Sequence, residues 1–183
     1  MKGQETALKD CWVLEPDVFE DERGFFYEGF NAEKFEAITG HNFIPKQLNQ
    51  SGSVKGVLRG LHFQLQPKAQ AKLINCTQGE LLDVAVDLRK KSPTFKQHIV
   101  VRLSDENKKL LYVPKGFAHG FQVLSDYAKL IYQVDEVYSP GHDSGIAYND
   151  PHLNISWMGT ESEIILSNRD QQLKNLSETE INF

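Results

Sequence analysis

Two histidines in short, glycine-containing segments are the first candidates for chemistry in this sequence. His62 lies in residues 56–64, a strand-like run that is otherwise apolar or small and also contains Arg59. His119 lies in residues 114–121, within a Pro-x-Gly-x-x-His pattern. No second histidine follows His62 two residues on, so the His-x-His pair of a metal-binding β-barrel is missing. Because histidine titrates near neutral pH, these residues favour acid–base chemistry on an organic substrate over metal chemistry.

The spacing of Arg59 and His62 leaves their relative orientation open. They are three residues apart, so strict alternation along a strand would place them on opposite faces. Gly60 lies between them and could permit a β-bulge that brings both side chains to one pocket. A single histidine in a strand is also more often structural than catalytic, and the spacing alone decides neither question.

Lys72, Tyr132 and Tyr138 each have an ordinary interpretation and a functional one. Lys72 enters an apolar run, where a solvated strand-end lysine is the default, whereas a lysine inside a pocket would suit an anion or a developing oxyanion. Tyr132 and Tyr138 are six residues apart, so an extended chain would place both on one face with Val134. On spacing alone, the two tyrosines are read as core or surface aromatics.

The sequence alone also leaves the roles of residues 21–26 and Asp170 undecided. Arg23 lies in a turn that leads into an aromatic strand, which indicates either a surface hairpin with an ion pair or an arginine for phosphate beside aromatics for a flat ring. Asp170 follows the apolar run 164–166, and by itself it would be an ordinary cap or turn residue.

Composition limits the classes of function. A chain of 183 residues with 40% hydrophobic content suits one domain spanning 1–183. A net charge of −5 with scattered basic residues argues against a nucleic-acid partner. The two cysteines lack metal-binding spacing, and residues 1–5 do not resemble a signal peptide, so a cytoplasmic location is expected. No apolar run approaches membrane-spanning length.

Short alternating or β-branched runs dominate the chain and predict an all-β fold. Many short strands separated by Gly, Pro, Asn and Asp are typical of a sandwich or barrel. One helix is predicted over 32–39, with Asn31 as its N-cap and Gly40 just beyond its end. The predicted strands are 71–76, 81–88, 99–103, 110–113, 121–124 and 128–137.

Taken in order, these segments resemble the dTDP-4-dehydrorhamnose 3,5-epimerase family of the cupin superfamily. The resemblance implies a cupin-type antiparallel β jelly roll with a few short helices. It also implies a homodimer formed through sheet edges, with the N-terminal segment as a candidate to cross to the partner. The matching motifs are residues 19–26, 56–64, 83–89, 92–95, 114–121, 138–140, 149–151 and 166–170.

The resemblance also implies roles for individual residues. His62 matches the base, Asp170 the carboxylate that orients it, Tyr132 the acid on the opposite face of the sugar, and Lys72 a group near the ketone oxygen. Asp143 and Arg169 stand where glutamate and lysine are common. The positions that match nucleotide-sugar-binding residues are Arg23, Phe26, Glu28, Gln47, Asn49, Ser51, Arg59, His119, Tyr138, Asp143 and Arg169.

The implied reaction is epimerisation at carbons 3 and 5 of dTDP-4-dehydro-6-deoxy-D-glucose to give dTDP-4-dehydro-L-rhamnose, through an enolate, in dTDP-rhamnose biosynthesis. Because substrate and product are isomers, no cofactor and no metal are expected. Three alternatives remain: a metal-dependent cupin enzyme, a non-catalytic sugar-nucleotide-binding module, and an epimerase of one carbon acting on a related 4-keto nucleotide sugar. A mononuclear metal site usually needs three protein ligands, which disfavours the first.

Overall fold

The structure of the chain is a computed structural model that describes residues 1–183. Its regular structure is mostly β-strand, with one α-helix, α1 (Ala32–Thr39), and four 3₁₀ helices at Pro140–His142, Glu161–Glu163, Asp170–Gln172 and Leu176–Glu178. The strands are β1 (Lys2–Glu5), β2 (Trp12–Glu15), β3 (Val18–Asp21), β4 (Gly24–Tyr27), β5 (Gln47–Val54), β6 (Leu58–Gln64), β7 (Lys72–Gln78), β8 (Glu80–Asp87), β9 (His98–Ser104), β10 (Leu110–Val113), β11 (Phe117–Val123), β12 (Tyr127–Val134) and β13 (Asp143–Gly145).

Two antiparallel sheets contain most of the strands. One has six strands in the order β1-β2-β10-β7-β12-β5, and the other has five in the order β13-β6-β11-β8-β9. Strands β3 and β4 form a separate two-stranded hairpin. Every strand pairing is antiparallel, which confirms the predicted all-β class.

The main core lies between the two sheets. Ile74 and Leu130 from the six-stranded sheet pack in one buried cluster with Ala85 and Phe121 from the five-stranded sheet. Side chains alternate along a strand, so Val84 on β8 points away from this cluster and into a second one under the C-terminal segment. Each fully buried large apolar side chain contributes roughly 1.5–3 kcal/mol, so these clusters hold the sheets firmly enough to position a site between them.

Helix α1 begins and ends as predicted. The side chain of Asn31 accepts a hydrogen bond from the backbone N–H of Lys34 at 3.1 Å, which satisfies one of the free donors of the first turn. Gly40 ends the helix in the left-handed conformation. Phe35 is fully buried and packs the helix against Tyr112 on β10.

Most strands lie close to their predicted bounds, and two differ. Strands β7, β8, β9 and β10 are within two residues of the prediction. Strand β11 begins at Phe117 rather than 121, because Phe117 already pairs with Asp87 of β8 although small residues weaken the apolar pattern there. Strand β12 ends at Val134 rather than 137, and the backbone N–H groups of residues 137–139 bond to side chains instead of to a neighbouring strand.

Candidate active site

A cavity of about 470 Å³ opens between the two sheets and is lined mainly by polar side chains. Residues from β5, β7 and β12 form one wall and residues from β6 and β11 form the other. The sequence-predicted residues that line it are His62, Lys72, Tyr132, Asp170, Gln47, Asn49, Ser51, Arg59, His119, Tyr138, Asp143 and Arg169. The fold therefore brings together all four predicted catalytic residues and most of the predicted binding residues.

His62 and Asp170 form a hydrogen-bonded pair at one wall of the cavity. The Nε2 atom of His62 lies 2.5 Å from Oδ1 of Asp170, which is 4% exposed. Burial favours a raised pKa for Asp170, yet its hydrogen bond with His62 and the charge of that imidazole lower the pKa overall. A carboxylate that stays ionised fixes the tautomer of the imidazole and stabilises its protonated form, so the pair suits general-base chemistry.

A β-bulge places Arg59 and His62 in the same cavity. His62 pairs with His119 of β11 but Arg59 pairs with Phe121, so β6 has one extra residue between the two pairs. Gly60 occupies the bulge with φ +124, and an added Cβ would lie 2.6 Å from Cα of Gly120. Only glycine fits this conformation and this close approach, so the question left open by the spacing is settled in favour of a shared pocket.

His119 belongs to a second histidine–aspartate pair. Its Nε2 atom lies 2.7 Å from Oδ1 of Asp83, and Asp83 is fully buried. Burial lowers the pKa of His119, against the opposing effect of Asp83. Because a carboxylate only accepts, Nε2–H donates to Asp83, and neutral His119 keeps Nδ1 as an acceptor.

Lys72 and Tyr132 reach the cavity from the six-stranded sheet, opposite His62. The Nζ atom of Lys72 donates to the backbone carbonyl of His62 at 3.3 Å. Burial lowers the pKa of Lys72 to about 8, which leaves an ammonium group with few protein partners at neutral pH. Burial raises the pKa of Tyr132, so its hydroxyl keeps a proton that it can donate. The cavity thus has an imidazole on one wall and a phenol on the other, and the ammonium group of Lys72 extends to the backbone of His62.

Tyr138, Asp143 and Arg169 form a connected group at another part of the cavity. The hydroxyl of Tyr138 donates to Oδ2 of Asp143 at 3.0 Å, and Arg169 Nη2 lies 2.7 Å from the same oxygen. Tyr132 and Tyr138 would share a face only on a continuous strand, and this condition is not met because β12 ends at Val134. Both tyrosines nevertheless line the cavity, since the chain turns back toward it after β12.

Several further residues in and around the cavity were missed by the sequence analysis. Asp83 carried a signal, because it is an acidic residue in a strand whose other face is apolar. Gln64 shares a strand face with His62, which is also visible in the sequence. The others, which no pattern marked, are Phe63, Gln70, Phe121 and Ser167.

Comparison with known proteins identifies the family. The family model for dTDP-4-dehydrorhamnose 3,5-epimerase matches residues 5–178. A dTDP-4-dehydrorhamnose 3,5-epimerase from Pseudomonas aeruginosa is 46% identical over 180 residues, which cover 98% of this chain and 98% of that protein. The chain belongs to the dTDP-4-dehydrorhamnose 3,5-epimerase family.

Solved structures of related epimerases have the same fold. The dTDP-4-dehydrorhamnose 3,5-epimerase of Elizabethkingia anophelis superposes with a TM-score of 0.94 at 49% identity, covering 97% of each chain. A dTDP-6-deoxy-D-glucose-3,5-epimerase from Legionella pneumophila, in complex with dTDP-4-keto-L-rhamnose, gives a TM-score of 0.93 at 45% identity, covering 97% of this chain and 93% of that one. These likenesses confirm the predicted resemblance and the cupin-type jelly roll.

Three of the residues expected at the site of this epimerase family lie elsewhere in the chain. Arg23 is exposed on the β3–β4 hairpin and forms an ion pair with Asp21. Phe26 is 69% exposed on the same hairpin, and Glu28 Oε1 accepts a hydrogen bond from Lys34 Nζ at 2.8 Å. None of the three lines the cavity of its own chain. Within one chain the segment is therefore the surface hairpin with an ion pair that was one of the two readings of its sequence.

The geometry gives little support to a metal site. No group of three or more His, Cys, Asp or Glu side chains is arranged so that it could hold a metal ion. His62 and His119 are each bonded to an aspartate on a separate strand or segment. The metal-dependent alternative therefore lacks a set of three ligands. No helix in the chain has both the length and the apolar character needed to cross a membrane.

Proposed function

We propose that this chain epimerises carbons 3 and 5 of dTDP-4-dehydro-6-deoxy-D-glucose to give dTDP-4-dehydro-L-rhamnose. The observation that carries the proposal is the arrangement of acid and base in a chain of this family. The His62–Asp170 pair lies on one wall of the cavity, and Tyr132 lies on the other. Inverting a carbon centre requires removal of a proton from one face and delivery of a proton to the opposite face.

Each epimerisation proceeds through its own enolate, and both enolates carry their charge on the oxygen at carbon 4. Carbons 3 and 5 flank the ketone at carbon 4, so the electron pair left by either proton moves onto the same oxygen. His62 takes the proton, Lys72 stabilises the oxyanion, and Tyr132 returns a proton to the other face. The protonated imidazole and the tyrosinate then regain their starting states by proton exchange with solvent. Positioned acid–base groups typically contribute about 10²–10⁴-fold in rate.

Asp170 and Lys72 lower the barrier by electrostatics rather than by proton transfer. Asp170 stabilises the imidazolium that forms on His62, as the carboxylate does in a catalytic triad. Lys72 meets charge that develops only as the enolate forms, so it stabilises the transition state more than the bound ketone. Loss of a single oxyanion donor costs about 2.7–4 kcal/mol in other enzymes. Substrate and product are isomers, so we expect no redox cofactor.

The remaining cavity residues suit the nucleotide and the sugar. Arg59 and Arg169 provide planar guanidinium groups, which bind diphosphate through paired hydrogen bonds. Tyr138 provides an aromatic ring beside the base. We assign the hydroxyls and carbonyls of the sugar and nucleotide to five further polar side chains of the cavity, which are Gln47, Asn49, Ser51, His119 and Asp143.

We further propose a homodimer in which the β3–β4 hairpin of one protomer completes the site of its partner. This arrangement accounts for Arg23, Phe26 and Glu28, which match binding residues but lie away from their own cavity. Phe19 and Phe25 of the same hairpin are 66% and 61% exposed. Such a cluster of exposed aromatic side chains is unusual on the surface of a monomer. The edge strand β1 offers unpaired backbone groups that a second copy could also bind.

The chain's other properties are consistent with an enzyme of the cytoplasm. Cys11 and Cys76 are both buried and unbridged, as in proteins of reducing compartments. The net charge of −5 gives no basis for binding nucleic acid. The anionic partner that we propose is instead a small nucleotide sugar, held by a few local cations.

Proton NMR in D₂O tests the reaction carbon by carbon. Incubation with dTDP-4-dehydro-6-deoxy-D-glucose is expected to exchange and invert the protons at carbons 3 and 5. Exchange at one carbon alone would replace the proposal with the single-carbon epimerase. Binding without exchange at either carbon would replace it with a non-catalytic binding module, for which the His62–Asp170 pair and Tyr132 have no use.

A further inference from the structure

Gln64 is a buried side chain whose hydrogen bonds all go to backbone groups around the cavity mouth. It is 3% exposed and lies two residues after His62 on β6. Its Nε2 atom donates to the carbonyls of Lys68 at 2.6 Å and Val137 at 3.3 Å. Its Oε1 atom accepts from the backbone N–H of Ser139 at 2.7 Å. One amide thus binds the residues on both sides of Tyr138.

The segment around Tyr138 has no strand to hold it. It follows the end of β12 and precedes the 3₁₀ helix at Pro140–His142. The N–H of Tyr138 itself donates to Oε1 of Gln47 at 2.9 Å. The hydroxyl of Tyr138 donates to Asp143, which is the cross-strand partner of Gln64 in the β13–β6 pairing. The position of the ring therefore depends on side chains, and Gln64 lies at the centre of them.

We propose that Gln64 is a positioning residue that fixes Tyr138 at the nucleotide end of the cavity and so sets the affinity for the nucleotide. This rests on the proposed role of Tyr138 beside the base. Gln64 acts through the backbone of Val137 and Ser139. It lies on β6, the strand that also carries the proposed base, His62. Gln64 also lines the cavity, so a direct contact with the nucleotide has to be distinguished from positioning of Tyr138.

The chemistry of the site requires an amide. The carbonyls of Lys68 and Val137 need two N–H donors, and the N–H of Ser139 needs an acceptor. Among neutral side chains, only the amides of Asn and Gln combine two donors with an acceptor. Asparagine is one methylene shorter. Alanine removes all three bonds and leaves the two carbonyls and the N–H without these partners. The segment then loses its attachment to β6, while the bond of Tyr138 to Gln47 remains.

Gln122 offers a matched control for the test. It is also 3% exposed, and it holds a different loop in the same manner, with Nε2 donating to the carbonyl of Met158 and Oε1 accepting from its N–H, both at 2.8 Å. Gln122 does not line the cavity. Gln64→Ala and Gln122→Ala are compared by dTDP titration calorimetry, steady-state kinetics and thermal unfolding.

We expect Gln64→Ala to raise the Kd for dTDP and the KM for the nucleotide sugar about tenfold, the size of one lost base–aromatic stack, with kcat changed less than about twofold. Gln122→Ala is expected to lower the Tm comparably and to leave Kd and KM unchanged. A Gln64→Ala protein that binds dTDP as the wild type does would overturn the proposal.

A double-mutant cycle with Tyr138→Ala separates positioning from direct binding. If Gln64 acts through Tyr138, its removal in the Tyr138→Ala background weakens dTDP binding by less than about twofold. A further tenfold loss there, or a Tyr138→Ala protein with wild-type affinity, would defeat the proposal. Failure of the epimerase function has a different signature, because the wild-type chain would then bind dTDP but exchange no substrate protons.

Discussion

His62 and His119 are direct cross-strand partners on β6 and β11, yet each imidazole is hydrogen bonded to a different aspartate. The side chain of His62 is 28% exposed and faces the open cavity, whereas that of His119 is 7% exposed. Burial lowers the pKa of His119, which keeps it neutral, so the two neighbours suit different tasks. His62 can exchange protons with substrate and solvent, and His119 can accept a hydrogen bond without changing its charge.

This difference predicts opposite kinetic signatures for the two histidines. His62→Ala should abolish deuterium exchange at both carbons, because one base serves each. Asp170→Asn should lower kcat by about 10²–10⁴-fold with little effect on dTDP binding. His119→Ala should mainly raise KM.

Exchange is followed by NMR in D₂O, and His152→Ala is the control, since His152 lies near Asp150 but outside the cavity. Near wild-type exchange by His62→Ala would refute the mechanism.

Lys72 should give the reaction an alkaline limit. Its pKa is lowered to about 8 by burial, so the ammonium is present below that pH and is lost above it. If the charge stabilises the enolate, kcat/KM, which reports the free enzyme, should fall as the pH rises through about 8. Lys72→Met should have low activity at every pH and lack this limb. The exposed Lys55→Met is the control and should keep the wild-type profile. A wild-type kcat/KM that stays flat to pH 10 would contradict the role of the charge.

The burial of Lys72 should also lower the free energy of unfolding of the protein. Its folded pKa is below the value of 10.5 for a free lysine, so between about 8 and 10.5 the unfolded chain binds more protons and stability rises with pH. Below about 8 the full cost is present. Lys72→Met should therefore raise the free energy of unfolding at pH 7, by on the order of 1–3 kcal/mol. Urea unfolding at pH 7 and pH 10 measures this, and the gain should shrink at the higher pH.

The sequence predicted the parts of the site that depend on local chain geometry and on motifs. The caps of α1 are local interactions, so Asn31 and Gly40 could be assigned without a structure. The pairing of His119 with Asp83 depends on the β11–β8 register, which no local pattern encodes. The predicted strand 128–137 extends three residues beyond the end of β12 at Val134, because the side chains that bind the following backbone, Gln47 and Gln64, are distant in sequence.

The location of Arg23 predicts complementation between protomers. In a homodimer with exchanged hairpins, Arg23→Ala disables the partner's site and His62→Ala disables the protomer's own site. Co-refolding the two inactive proteins should give heterodimers with one intact site of two, and random pairing should restore about one quarter of the wild-type activity. The assay uses substrate below KM, where a binding defect is visible.

The control for complementation pairs two variants of the same protomer's wall. Co-refolding His62→Ala with Asp170→Asn should restore activity only if the two residues of one site came from different protomers. Because both belong to the same chain's cavity, we expect no recovery. Failure of the Arg23→Ala and His62→Ala mixture to recover, in a sample that scattering shows to be dimeric, would exclude exchanged hairpins. A monomer at micromolar concentration would exclude the homodimer altogether.

Chelation should leave the enzyme active. The proposed steps use side-chain protons and the charge of Lys72, and no set of three metal-binding side chains is arranged for an ion. Dialysis against EDTA should therefore leave kcat and KM unchanged, as followed by NMR of the product. If EDTA abolished turnover and one divalent metal restored it, the alternative of a metal-dependent cupin enzyme would be supported instead.

Tyr132 allows proton removal to be separated from inversion. It lies on β12, in the sheet opposite His62, and burial raises its pKa, so the hydroxyl is protonated and able to donate. In Tyr132→Phe, His62 can still remove a proton and the enolate can still form. Without a donor on the far face, the imidazolium exchanges its proton with D₂O and returns a deuteron to the face from which the proton came. Deuterium from D₂O should therefore enter the substrate with configuration mostly retained.

The contrast with Lys72→Met makes the Tyr132 experiment specific. Loss of oxyanion stabilisation slows enolate formation, so Lys72→Met should reduce exchange and inversion together, whereas Tyr132→Phe should change their ratio. Tyr127→Phe, on the same strand but outside the cavity, is the control and should exchange and invert as the wild type does. Inversion of both carbons at the wild-type rate by Tyr132→Phe would remove Tyr132 as the acid, and the proton would then have to come from water or from another hydroxyl in the cavity.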